Sequence, residues 1–355
     1  MSKQRKGELS ITSVIFMMLV IFIHTASEGV SGYRVDSVQF LVLQSLHRLS
    51  SFVVQGFLFL SGLKLFLPSK KPFSYGRFYL SRLRRVVLPY LFVFSLIYVY
   101  SILTHWITPS ATHFFTELLT GGLTGHFYFV AVICQFYLLM PLWKRISRQS
   151  PLLWIPASLL LMTVLKTAVP EVLSRFGIEF VHSGRMFWHY LFYFIAGIYA
   201  GRYYPAFVRM LKHHSRGISA AFILTGIVDC ANLIVIRRGL YYPSWAENFH
   251  TLYCAAAVLF TLCVSLKPAH LAEKPWMKLT DGASYNVYLI HPLFIFIADS
   301  LMNRAGLVSI TIRLGVRSVL VYAVSIGICV LWEFAKKRLK IHRQLIKNVS
   351  DTTDT

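Results

Sequence analysis

His24 closes an unbroken apolar run in MMLVIFIHTASEGV (17–30), and Glu28 follows at i+4. An imidazole can take a proton from a hydroxyl or carry an acyl group transiently. A carboxylate one helical turn away, on the same face, can orient that ring and raise its basicity. An interfacial histidine and an ordinary loop acid are the plainer alternative. His126 and Tyr128, in GGLTGHFYFVAVICQFYLLMPL, suit a hydroxyl-rich acceptor through hydrogen bonds and aromatic contact. The same residue types also build aromatic interface belts. RFYLSRLRRVVLPYL (77–91) groups Arg82, Arg84 and Arg85, whose planar forks fit phosphate oxygens. Topological anchoring explains such arginines equally well. In DGASYNVYLIHPLF (281–294), Pro292 frees a backbone carbonyl beside His291, a device tolerated where a helix lines a cavity. In FLFLSGLKLF (57–66), the Ser61–Gly62 pair permits close helix approach.

These residues sit in apolar blocks about 20 long, the length that crosses ~30 Å of hydrocarbon as helix. Of the 355 residues, 56% are hydrophobic and only 14% charged, with mean hydropathy +0.58. The expected fold is an all-α polytopic membrane protein with about ten transmembrane helices in one bundle. The spans are near 9–27, 49–67, 86–107, 126–143, 152–169, 186–204, 217–236, 247–266, 284–300 and 315–334. Residues 1–8 form a short N-terminal segment, 9–334 the membrane domain and 335–355 a basic tail. In this scheme His24 lies roughly 22 Å along the first helix, in the outer part of the membrane, where an ionisable group is costly. The scheme puts His291 about two turns into the ninth span.

The net charge of +22 comes from Lys and Arg between the blocks, so it reads as topology and not as nucleic-acid binding. Lys3, Arg5, Lys6, Lys70, Lys71, Arg82, Arg84, Arg85 and the tail cations fall on one side. Far fewer, among them Arg34, Arg48, Arg313 and Arg317, fall on the other. This bias places both termini in the cytoplasm. Cys134, Cys230, Cys254, Cys263 and Cys329 all lie in apolar blocks without a CxxC pair. They read as small core residues, with no metal expected. HExxH, Walker A and GxSxG motifs are absent. Few acids are buried, which argues against a pump coupled through membrane carboxylates.

In order along the chain, VIFIHTAS, FLFLSG, RLRRVVLPY, GHFYFVAVICQFYLLMP, FYFIAGIYAG and SYNVYLIHP resemble the motifs of the acyltransferase 3 family of integral-membrane acyltransferases. The resemblance implies a ten-helix core in a bacterial plasma membrane. It implies an acyl group, most often acetyl, taken from cytoplasmic acyl-CoA and passed to an envelope glycan or lipid-linked sugar. Carried over, Arg82, Arg84 and Arg85 hold CoA phosphates, and His24 acts as general base or acyl carrier. Ser61, Tyr288 and His291 fall on further family motifs. Acetyl-CoA is then a donor substrate, and membrane lipid surrounds the bundle. Two departures stand out. Ser13 occupies the position, eleven residues before the histidine, where the family often has arginine, and Phe127–Phe129 replaces a tryptophan-containing signature. No hydrolase domain of the kind some relatives carry is attached, so any second transfer step needs another protein. A second class of function, export or flipping of a polysaccharide or lipid-linked intermediate, would call for paired broken helices and buried coupling acids.

Overall fold

The computed structural model describes residues 6–69, 72–240 and 245–353. Lys3, Arg5, Lys70 and Lys71, counted above among the inner charges, lie outside them. The described residues are helical almost throughout, with no strand. The helices are α1 (Gly7–Gly32), α2 (Val38–Ser50), α3 (Val53–Phe66), α4 (Tyr75–Arg82), α5 (Leu88–Leu103), α6 (Ala111–Thr120), α7 (Tyr128–Leu138), α8 (Met140–Ile146), α9 (Pro151–Arg175), α10 (Leu191–Arg202), α11 (Tyr204–His213), α12 (Ser215–Arg237), α13 (Ala246–Leu266), α14 (Pro275–Arg304) and α15 (Ile310–Thr353). A π-helical turn, Leu83–Val87, joins α4 to α5.

This is a multi-pass membrane protein. Eight segments among the described residues are long and apolar enough to cross a bilayer, matching eight of the ten expected spans. The fourth expected span is instead the pair α7 and α8, bent by 62°. Pro141 causes the break, because its ring clashes with the preceding turn and it donates no N–H. The indole Nε1 of Trp143 donates to the Phe136 carbonyl at 2.7 Å, satisfying one backbone group at the bend. The sixth expected span is only the 12-residue α10, entered through 3₁₀ turns at Ser183–Arg185 and Phe187–Tyr190. A helix of this length covers roughly 18 Å. Most of it is buried, and a short or broken helix is tolerated where protein, not lipid, surrounds it.

The chain forms two compact units, Met1–Leu43 with Val264–Thr355, and Gln44–Cys263. In the first, α1 and α14 run in the same direction. Ile11 packs with Met277 near their starts, and Met17 and Ile21 pack with Ala283 and Val287 further along. α15 returns beside them, contributing Val321 and Cys329 to the same core.

In the second unit, α3 and α10 touch backbone to backbone. A Cβ added at Gly62 would lie 2.4 Å from the Phe194 carbonyl oxygen, and one at Gly197 would lie 2.1 Å from that of Phe59. Small residues at a membrane interface allow this approach. Gly197→Ala is therefore expected to cost about 1–3 kcal/mol or more through overpacking. A melting curve in detergent would show the loss. Gly76→Ala, with open space around its added Cβ, serves as the neutral control.

Candidate active site

α1 continues to Gly32, so Glu28 lies on the helix one turn beyond His24 and not in a loop. α14 begins at Pro275, about two and a half turns before the expected start of the ninth span. His291 is thereby raised to roughly 24 Å along its helix, and His24 is roughly 26 Å along α1. Because the two helices are parallel, the two imidazoles meet. Their ring centroids are 5.3 Å apart, tilted by 41°. His291 is fully buried and His24 half-buried.

Pro292 explains the state of His291. Lacking an N–H, it cannot bond the carbonyl four residues back, which is that of Tyr288. His291 Nδ1 takes that place, 2.8 Å from the Tyr288 oxygen and 3.2 Å from that of Val287. Carbonyls only accept, so Nδ1 carries the proton and Nε2 presents its lone pair. The Tyr288 ring stands 6.3 Å from the His291 ring. Two imidazolium ions at this spacing would repel strongly, so the pair holds at most one extra proton.

One turn further along α1, Glu28 is gripped by two arginines of α15. Arg313 Nε donates to its Oε1 at 2.8 Å, and Arg317 donates to Oε2. Arg317, 3% exposed, also donates through Nε to Asp299 of α14 at 2.7 Å. Its Nη1 reaches the carbonyl of Thr25, the residue after His24, at 3.4 Å. Arg313 Nη1 donates to Asn303 Oδ1 at 2.7 Å and to the Leu307 carbonyl at 3.1 Å. Two cations thus balance two carboxylates and tie α1, α14 and α15 together beside the histidine pair. The charge count along the chain treats Arg313 and Arg317 only as outer topology charges. The signal for their real place is their i, i+4 spacing at the mouth of an apolar span, with Asp299 in the apolar span before it. Ser13 is buried, and its hydroxyl donates to the Leu9 carbonyl of its own helix at 2.7 Å.

The other sequence-predicted residues belong to the second unit. His126, 3% exposed, lies just before α7, with Nδ1 2.9 Å from Thr124 Oγ1 and its ring 4.3 Å from that of Phe127. Gly121 sets this turn. Its φ of +65° ends α6 in the left-handed region, and a Cβ there would lie 2.5 Å from the Phe127 backbone. The hydroxyl of Tyr128 pairs with that of Tyr190. Gln135 holds the segment leading to Tyr190 in place, accepting from the Phe187 N–H at 3.0 Å and donating to the Arg185 carbonyl at 3.0 Å. Ser61 sits on α3 next to Gly62 at the close contact with α10.

Arg82 is half-buried, its guanidinium 5.4 Å from the centroids of both Phe78 and Tyr137. Arg84 and Arg85 are exposed on the π-helical turn. The extra residue in such a turn rotates the helix beyond it, and these turns recur at functional sites. Lys144 of α8 lies 4.0 Å from the Phe73 ring centroid, a further cation that motif reading passes over.

Residues 13–334 match the family model Acyl_transf_3, described as an acyltransferase domain. The chain is 22% identical over 304 residues to the "Putative membrane-bound acyltransferase YfiQ" of Bacillus subtilis (strain 168). That match covers 83% of this chain and 80% of the other. No solved structure matches.

Proposed function

The chain belongs to the Acyl_transf_3 acyltransferase family, and from that premise we propose that it moves an acetyl group from cytoplasmic acetyl-CoA to a hydroxyl of a bacterial envelope glycan or lipid-linked sugar. Both termini lie in the cytoplasm of the cell and the acceptor waits at the outer face of the plasma membrane. The observation that carries this reading is the His24–His291 contact, two imidazoles meeting between the membrane-spanning helices α1 and α14. An ionisable pair in such a place is expensive and points to chemistry.

His24, the more exposed ring, takes the proton of the acceptor hydroxyl as its oxygen attacks the acyl carbonyl carbon. The carbon–sulfur bond of the acyl thioester breaks, and the leaving thiolate recovers the proton from His24. His291 backs the base with a fixed lone pair. Glu28, held by Arg313 and Arg317, fixes the α1 turn that presents His24. It is a positioning residue. His126 and Tyr128 contribute acceptor contacts, and Arg82, Arg84 and Arg85 receive CoA phosphates.

Export gains nothing from the acids in the structure. Asp229 is fully buried, unlike the sparse acids expected, but Arg48 grips it with two hydrogen bonds, and Asp299 is matched to Arg317. A coupling carboxylate must shed its partner on every cycle.

The test is release of CoA with transfer of labelled acetyl from acetyl-CoA to crude envelope glycan by the purified protein in nanodiscs. Under those conditions Arg82→Ala should raise KM for acetyl-CoA about 10–100-fold with kcat little changed, since a charge-assisted phosphate contact contributes about 1.5–3 kcal/mol to ground and transition states alike. An unchanged KM would remove Arg82 from the donor site.

A further inference from the structure

Within the second unit, four helical residues form a line that motif reading does not contain. Arg48 of α2 donates to Asp229 of α12 through Nε at 2.7 Å and Nη2 at 2.9 Å. Asp229 Oδ2 stands 2.8 Å from His250 Nδ1, and His250 Nε2 stands 3.3 Å from Cys254 Sγ. His250 and Cys254 are i and i+4 on α13, so their side chains share a face. Asp229 and Cys254 are fully buried. The sequence places Arg48 in an outer loop, but the second span begins at Val38, eleven residues early, and carries it inside. For Cys254 the sequence suggests packing alone.

The protons can be assigned. Asp229 is ionised opposite Arg48, so Nδ1 of a neutral His250 donates to it and Nε2 is the acceptor. Ser51 Oγ is 3.4 Å from the same nitrogen, but its proton goes to the Arg48 carbonyl at 2.7 Å. The Tyr193 hydroxyl, close to Cys254, donates to the Thr251 carbonyl at 3.1 Å. The thiol of Cys254 is therefore the group whose proton is directed at His250. Nucleophile, base and orienting carboxylate stand in the order that acyl-transfer chemistry uses.

We propose that Asp229, His250 and Cys254 form a second chemical centre, in which Cys254 receives the acyl group as a thioester before it passes to the acceptor. The proposal rests on the acyl-CoA donor proposed above. As Sγ attacks the thioester carbon, His250 Nε2 takes the thiol proton. The carbon–sulfur bond to CoA then breaks, and the CoA thiolate leaves with the proton from His250. One thioester is exchanged for another, so the acyl group stays activated. The thiol and imidazole remain neutral until the bond forms, and burial keeps water from hydrolysing the product. Arg48 has no contact with the acyl group; it keeps Asp229 charged and in place.

The experiment incubates the full-length protein in nanodiscs with labelled acetyl-CoA and no glycan, followed by acid quench and peptide mass spectrometry. The expected result is acetyl on the peptide containing Cys254, removed by neutral hydroxylamine. Cys254→Ala keeps the Arg48–Asp229–His250 contacts, so its melting curve should match wild type. It should lose the label and release CoA at least about 100-fold more slowly when glycan is added. Label found on another residue, or wild-type turnover by Cys254→Ala, overturns the relay and leaves the transferase reading standing. No CoA release by wild type with glycan present removes the donor reading and the relay together. If the alanine variant melts early, the wild-type peptide map still decides, because a purely structural cysteine carries no acetyl.

Discussion

Replacing Arg317 with methionine is expected to lower the stability of the protein in detergent by about 3–5 kcal/mol, seen as a fall of several degrees or more in its melting midpoint. The magnitude reflects the charges the side chain leaves behind. Arg317 is 3% exposed and joins Glu28 to Asp299, with a third bond to the Thr25 carbonyl. Methionine fills much of the volume but leaves two carboxylates side by side with only Arg313 to share. Glu28→Gln in the same chain should recover part of the loss, because it removes one of the stranded charges. The pair Arg34–Asp36 gives the contrast. Its partners are 84% and 68% exposed, so Arg34→Ala should leave the melting curve unchanged. An unaltered midpoint for Arg317→Met would mean that the cluster does not tie the three helices together.

The second large effect concerns chemistry. His24→Gln should slow acyl transfer about 10²–10⁴-fold, the usual contribution of a positioned general base. Glutamine keeps polarity and reach but cannot take a proton. His291→Gln should cost less, about 10–100-fold, because that ring acts through His24. Both variants should bind acetyl-CoA as wild type does. The activity profile with pH should lose its ascending limb in His24→Gln and keep it in His291→Gln. Equal losses and identical profiles would assign the proton transfer to the pair as a unit.

The features legible in the chain divide along physical lines. Apolar block length marks eight spans well, because the bilayer imposes it on each helix separately. It fails at the fourth and sixth, where Pro141 bends one span and burial against α3 excuses the shortness of α10. His24 announces itself, since a polar group in lipid must have a reason. Its neighbour cannot be found the same way. His291 is 267 positions on, and its height depends on where α14 starts, a boundary set by Pro275 and not by hydropathy. Arg48, Arg313 and Arg317 are legible only as charges outside the membrane, because a count by loop cannot see that each faces a carboxylate at least partly buried. Cys254 shows the same limit. Its apolar surroundings suggest packing, and only the contact with His250 gives it chemistry.

One measurement bears most directly on the role of His24. Acetyl-CoA affinity and glycan-dependent CoA release are measured side by side for wild type and His24→Ala in nanodiscs. Equal affinity is expected, with release reduced at least about 100-fold in the variant. Turnover at the wild-type rate by a folded His24→Ala would contradict a base at this position.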